Sequence, residues 1–62
     1  MLTKCYIVEI CSDNETMFEQ LDEYGFDYWS DVCCSYSNCI EIYIDCYPHE
    51  VTNLESIMKW YV

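Results

Sequence analysis

The strongest constraint on the fold is the alternation of apolar and polar residues between Cys39 and Tyr47. Every second position there is apolar, at Ile40, Ile42, Ile44 and Cys46, and the positions between carry Glu41, Tyr43 and Asp45. Successive side chains of a strand point to opposite faces, so this segment predicts a β-strand with one buried face and one exposed face. Because its inner face is so apolar, we expect this strand at the centre of a sheet.

Two earlier segments alternate in the same way. From Leu2 to Ile10 the side chains predicted to face inward are Tyr6, Val8 and Ile10. From Phe26 to Cys34 the alternation sets Phe26, Tyr28 and Val32 against Asp27, Trp29 and Asp31. The polar run 35–38 then indicates a turn into the third strand.

Helical periodicity occupies the two remaining stretches. Ser12 and Glu15 fit a capping box, with Asn14 as an alternative cap, and Gly25 suits a left-handed helix end. The apolar face predicted for this first helix comprises Met17, Phe18, Leu21 and Tyr24. Pro48 suits the first turn of a second helix. Its apolar positions, predicted to continue to the chain end, are Val51, Leu54, Ile57, Met58 and Tyr61.

These elements predict an α+β fold of order β-α-β-β-α in a single acidic domain, residues 1–62. A right-handed crossover makes the first two strands parallel, and a hairpin makes the third antiparallel to the second. With the third strand central, the prediction is a three-stranded mixed sheet of order 1-3-2 with both helices on one face. This arrangement resembles a ferredoxin-like fold that lacks its last strand.

Net charge narrows the classes of partner. Twelve carboxylates face two lysines and no arginine, which gives a formal net charge of -10. Charge of one sign destabilises a compact chain, so we expect function to explain the excess. Proteins bind nucleic acids by displacing counterions with lysine and arginine, so direct binding to DNA, RNA or an anionic membrane is not expected. The complementary partner is a protein with a basic surface.

Two acidic surfaces are candidate binding sites. The first is the solvent side of the first helix, with Glu15, Glu19, Asp22 and Glu23. The second is the sheet face that the helices leave uncovered, with Asp27, Trp29, Asp31, Glu41, Tyr43 and Asp45, beside Glu9 and Ile7. The alternative interpretations are an ordinary solvated helix face and an aromatic pair that merely shields a thin sheet.

The six cysteines do not predict a metal site, because no C-x-x-C spacing occurs and His49 is the only histidine. One Gly and one Pro are few for a disulfide scaffold, so we expect reduced cysteines, with Cys34 and Cys46 in the core. Cys5, Cys11, Cys33 and Cys39 are expected on the uncovered face. No nucleophile is placed beside His49, so neither an enzyme nor a cofactor is predicted.

The first residues lack the apolar core of a signal peptide, and no apolar run reaches the ~20 residues of a membrane span. A cytoplasmic protein is therefore expected. An exposed first strand and an uncovered aromatic face also favour a homodimer.

In size and charge the chain resembles small phage-encoded inhibitors of host defence, the anti-CRISPR and anti-restriction proteins. The segment Asp13–Asp31, which holds seven of the twelve carboxylates, carries the resemblance, and no family motif does. The resemblance implies a DNA mimic that occupies the basic nucleic-acid-binding surface of a host nuclease complex, such as a CRISPR effector subunit. The alternatives are an acidic interaction module unrelated to defence and a secreted, disulfide-stapled effector or toxin.

Overall fold

A computed structural model describes residues 1–32 and 38–62. The elements, in chain order, are β1 (Leu2–Glu9), α1 (Asn14–Glu23), β2 (Asp27–Val32), β3 (Cys39–Cys46), a short 3-10 helix (Pro48–Glu50) and α2 (Val51–Met58). The predicted α+β order is confirmed. Cys33, Cys34 and most of the predicted turn at 35–38 lie outside the described residues.

The sheet has the predicted order, with β3 between β1 and β2. β1 pairs with β3 from Leu2 opposite Cys46 onward, and β2 pairs with β3 from Asp27 opposite Asp45 onward. β1 and β2 run in the same direction but are not neighbours. These are the predicted strand directions, and with β3 in the centre they make both hydrogen-bonded pairs antiparallel, so the sheet is antiparallel and the term mixed does not describe it.

Both helices cover one face of the sheet, as predicted. Ile42 and Ile44 at the centre of β3 are fully buried against residues of α1 and α2. The buried cluster comprises Val8, Met17, Leu21, Phe26, Ile42, Ile44, Cys46, Leu54, Ile57 and Met58. β1, α1, β3 and α2 all contribute to this cluster, whereas the 3-10 helix and β2 do not, although Tyr28 of β2 packs against its edge. The core is one layer deep because a chain of this length has few residues to bury.

The end of α1 is a Schellman motif built on Gly25. Gly25 has a φ of 76°, and its N–H donates to the Asp22 carbonyl at 3.0 Å. The N–H of Phe26 donates to the Leu21 carbonyl, also at 3.0 Å, and both side chains are buried. These two bonds with their apolar contact define the motif, so the predicted helix end is confirmed.

The start of α1 differs from the prediction. The residue before the helix is Asp13, and its side chain makes no capping bond. Asn14 is buried instead, where its Oδ1 accepts from the Cys11 N–H at 2.9 Å and its Nδ2 donates to the Glu9 carbonyl at 3.2 Å. Neither Ser12 nor Asn14 caps the helix, because Asn14 satisfies the backbone of the β1–α1 connection.

Four predicted core positions or boundaries are also wrong. Val32, which alternation placed on the helix side, ends the edge strand β2 and is 76% exposed. Ile10 follows the end of β1 and is 56% exposed, and Tyr24 follows α1 and is 58% exposed, stacked on Phe26. Both residues lie past the last turn or pair of their element, where periodicity no longer sets the direction of a side chain. α2 ends at Met58, and Tyr61 is half-buried through a turn in which its N–H donates to the Met58 carbonyl at 2.9 Å.

Gly25→Ala should lower the free energy of unfolding by about 1–2 kcal/mol, the usual cost of a left-handed backbone for an L-residue. The space around a Cβ atom at this position is open, so the cost comes from the backbone. Gly25→Asn is the control, because asparagine tolerates this conformation better and should cost less. Urea unfolding of both variants measures the difference. Equal stability of the alanine variant and the native protein would contradict this account.

Candidate functional site

We call the sheet face that is turned away from the helices the open face. Directly opposite residues of neighbouring strands share a face, so the register assigns its members. They are Thr3, Cys5, Ile7, Glu9, Asp27, Trp29, Asp31, Cys39, Glu41, Tyr43 and Asp45. Trp29 is 48% exposed and Ile7 is 46% exposed, so no described element covers this face. All six sheet residues predicted for a binding site lie on it together.

The middle of the open face is an aromatic pair. Trp29 and Tyr43 are directly opposite on β2 and β3, and their rings stack with centroids 5.6 Å apart and planes 12° apart. Cys5 lies on the other side of Tyr43, on β1. Such a stacked pair adds about 0.5–1.5 kcal/mol beyond the area it buries. The pair thus forms a rigid apolar centre that remains accessible to solvent.

Carboxylates border this centre in pairs of like charge. Asp27 is directly opposite Asp45 on one side of the aromatic pair, and Asp31 is directly opposite Glu41 on the other. Of the strand residues that the structure assigns to the open face, none is lysine or arginine, since Lys4 lies opposite Ile44 on the helix side. Like charges directly opposite each other destabilise a sheet. The open face therefore carries charge at the expense of stability.

Neutral donors hold three of these carboxylates in place. Thr3 Oγ1 donates to Asp45 Oδ1 at 2.6 Å, and the Tyr43 hydroxyl donates to Glu41 Oε2 at 2.6 Å. The backbone N–H of Val32 donates to Asp31 Oδ1 at 2.8 Å. Hydrogen bonds from uncharged groups orient a carboxylate and leave its negative charge in place. The charges of Asp31, Glu41 and Asp45 are therefore both fixed and uncompensated.

The hydrogen bond between Tyr43 and Glu41 also affects the pKa of the Tyr43 hydroxyl. The hydrogen bond to Glu41, followed by desolvation, raises the pKa of Tyr43 from its ordinary value of 10.0 to about 12. The phenol would have to ionise beside a carboxylate, which disfavours its charged form. At neutral pH the hydroxyl therefore stays protonated and keeps donating to Glu41.

The acidic surface of α1 lies on the opposite side of the domain. Glu15, Glu19, Asp22 and Glu23 are all exposed, as predicted. Among the hydrogen bonds between described residues, none engages the carboxylate of Glu15, Glu19 or Glu23. Asp22 differs from these three because it shares a hydrogen bond with Tyr28. Burial, followed by this hydrogen bond, raises the pKa of Tyr28, whose ring stacks on Phe18 with centroids 5.3 Å apart. The structure thus separates the ten predicted residues into two surfaces that a flat partner cannot cover together.

Sequence patterns did not indicate a shallow groove of about 310 Å³ between the two helices. It is lined by Gln20, Glu23, Tyr24, Asn53, Ser56, Ile57 and Trp60. Trp60 is 76% exposed, with the Lys59 ammonium 5.3 Å from the centre of its ring. The only sequence signal was a tryptophan off the apolar face of α2, and a groove between helices needs their packing to be known.

The cysteine predictions are partly confirmed. Cys46 is buried in the core, and Cys5 and Cys39 lie on the open face. Cys11 is exposed in the β1–α1 connection, so its assignment to the open face is wrong, because β1 ends at Glu9. These four cysteines are free, and Cys33 and Cys34 lie outside the described residues.

Residues 1–32 and 38–62 contain neither a candidate metal site nor a candidate membrane helix. No group of three or more His, Cys, Asp or Glu side chains in this part of the chain is arranged to hold a metal ion. No helix in it is long and apolar enough to cross a membrane.

Comparison with protein-family models, curated proteins and solved structures finds no match to this chain. The observations from which a function can be proposed are therefore the fold and the chemistry of its surfaces. Of these surfaces, the open face combines fixed charge with exposed aromatic area.

Glu41→Gln should lower the pKa of Tyr43 from about 12 toward 10, because it replaces the carboxylate that accepts the Tyr43 hydrogen bond with a weaker neutral acceptor and removes its negative charge. Glu19→Gln on α1 is the matched control and should leave the Tyr43 pKa near its native value. The chemical shifts of the Tyr43 ring carbons, followed against pH, measure both. Because the folded-state pKa is raised, this contribution to stability is complete below pH 10 and is lost as the pH rises to about 12. An unchanged pKa in Glu41→Gln would contradict the assigned cause.

Proposed function

We propose that this protein binds a basic surface of a nucleic-acid-binding protein through its open face and keeps nucleic acid away from that surface. The observation that supports this proposal is the set of fixed, uncompensated carboxylates around an exposed aromatic pair. Proteins depart from the rules of local stability mainly at functional sites. Two like-charge pairs on one small sheet are such a departure.

Charge selects the class of partner. The net charge of -10 repels nucleic acids and anionic lipids and attracts lysine and arginine, so the field of the protein accelerates encounter with a basic groove. Asp27 and Asp31 lie four residues apart on β2, or about 13 Å along the strand. Phosphates on one DNA strand repeat every ~3.4 Å. The protein therefore imitates the field of a phosphate backbone and not its atomic spacing.

The aromatic pair supplies apolar contact area, which the carboxylates do not. Protein interfaces take most of their binding energy from a few buried aromatic and arginine side chains, with charged groups around them. The open face has this arrangement, with Trp29 and Tyr43 in the middle row and carboxylates in the rows on either side. On α1 the carboxylates of Glu15, Glu19 and Glu23 have no comparable fixed positions, so ordering them would cost more entropy on binding. These differences favour the open face over α1 as the contact surface.

The biological setting is part of the proposal. The resemblance to small inhibitors of host defence suggests a nuclease complex as the target, such as a CRISPR effector subunit, reached in the cytoplasm of the host cell. Cys5 and Cys39, both on the open face, are four β3 positions apart in register, or about 14 Å, which is beyond the ~7 Å limit for a disulfide. The four free cysteines among the described residues favour this setting over a secreted, disulfide-stapled effector. An acidic module for a basic protein unrelated to defence stays the second candidate.

The decisive experiment compares two double variants that change the net charge equally. Asp27→Asn with Asp31→Asn removes one carboxylate from each like-charge pair, and Glu15→Gln with Glu19→Gln removes two from α1. The partner is captured from a host lysate with the native protein and purified, and its nucleic-acid binding is titrated with each variant. The open-face variant should inhibit at least about tenfold less well, a loss of ~1.4 kcal/mol, and the α1 variant should inhibit nearly as well as the native protein.

The same open-face variant should be the more stable protein. Relief of each like-charge pair should raise the free energy of unfolding by about 0.2–1 kcal/mol. Weaker inhibition by a more stable fold separates a binding role from damage to the structure. If the α1 variant instead inhibits less well than the native protein, the contact surface is α1 and not the open face. A captured partner that keeps its nucleic acid at saturating protein would contradict the decoy proposal and favour the second candidate.

Salt provides an independent prediction. Binding to the partner should weaken as salt rises, mainly through a slower association rate, because screening shortens the reach of the field. The protein itself should shift no DNA or RNA in a gel at physiological salt, since it has no cationic surface to release counterions. Stopped-flow association rates at several salt concentrations measure the first effect. Tight binding to free nucleic acid would contradict the proposal outright.

A further inference from the structure

We infer that the open face is an anchor for arginine and discriminates against lysine, with the outer side of the Trp29 ring as the contact. This inference rests on the proposed function and specifies which side chain of the partner is bound. It follows from the position of Trp29 in the sheet, the groups on either side of it, and the composition of the chain.

Trp29 lies on an edge strand, with one side of its ring occupied and the other accessible. Tyr43 stacks on it from β3, at 5.6 Å between centroids. No described strand lies beyond β2, and Trp29 remains 48% exposed. The indole therefore presents a flat surface already held in position by its neighbour.

Carboxylates stand on both sides of this surface. Asp27 and Asp31 precede and follow Trp29 by two residues, so all three side chains share the open face, with about 7 Å of strand between neighbours. Asp31 is oriented by the Val32 N–H, and beyond the aromatic pair Glu41 and Asp45 add further negative charge. A cation stacked on the outer side of the indole thus has a carboxylate in each direction along β2.

The geometry suits a guanidinium better than an ammonium. A guanidinium is planar and weakly hydrated, so it stacks on an aromatic ring while its N–H groups donate sideways to carboxylates. An ammonium is compact and strongly hydrated, and it gains from charge but little from a flat ring bordered by acceptors. Arginine also supplies many contacts to phosphate and guanine, so an arginine held here is withdrawn from nucleic acid.

The occupant has to come from another molecule. The chain contains no arginine, so a second copy cannot supply a guanidinium. Two open faces brought together would also juxtapose their carboxylate pairs. The partner that fits is therefore a protein segment rich in arginine, consistent with the basic surface proposed above.

Oligoarginine and oligolysine peptides of equal length are the probes, because they differ in the cation and not in total charge. Binding is followed by tryptophan fluorescence in a Trp60→Phe background, which leaves Trp29 as the reporter. The arginine peptide should bind about five- to tenfold more tightly, the ratio that a cation–π contact at a partly exposed ring supplies. The two Trp29 variants lack this reporter and are followed by calorimetry: Trp29→Phe should reduce the ratio, and Trp29→Leu should bring it close to one.

Each outcome decides one of the two proposals. Equal binding of both peptides, lost in the Asp27→Asn, Asp31→Asn variant, would overturn the arginine inference and leave the decoy proposal in place. Arginine preference that survives Trp29→Leu would also overturn it. A third outcome is that both peptides bind the open-face variant as tightly as the native protein but do not bind the Glu15→Gln, Glu19→Gln variant. That outcome would overturn both the arginine inference and the choice of the open face. Circular dichroism of each variant is the control that tests whether its fold is intact.

Discussion

Burial of the apolar side of β3 is the interaction on which the rest of the structure depends. Ile42 and Ile44 are fully buried between two flanking strands and beneath two helices. Because β3 is central, its side chains set the register of both neighbours, and the helices can cover only one face. Residues 1–32 and 38–62 contain no further element with which to cover the other. The open face is thus a direct consequence of how the core is made.

The same register explains the charge distribution. A strand that pairs directly with β3 places its own polar positions opposite the polar positions of β3, so Asp27 meets Asp45 and Asp31 meets Glu41. A sheet selected for stability alone would pair these positions with lysine. Hydrogen bonds from Thr3 and Tyr43 instead fix carboxylates without cancelling their charge. Fixed negative charge around a stacked aromatic pair suits the capture of cations on a partner.

Particular residues show where sequence patterns reach their limit. Inside elements they were reliable: Val8, Met17, Leu21, Leu54 and Met58 are all buried as predicted. At element ends they failed, because Ile10 and Tyr24 lie beyond the last pair or turn that could direct them inward. Asn14 looked like a helix cap and proved to be a buried tether between β1 and α1, since its amide reaches two backbone groups. Such a role depends on where the chain returns in space.

The sequence determined the order of elements, the central position of β3, and the uncovered face with its six candidate residues. It could do so because period-two alternation assigns each strand residue to a face. Tertiary structure alone decided how those residues meet. Strand pairing brought Trp29 onto Tyr43, Thr3 onto Asp45 and carboxylate opposite carboxylate. Alternation is a local property of a strand, whereas contacts between strands depend on register, which the packing of the whole core sets.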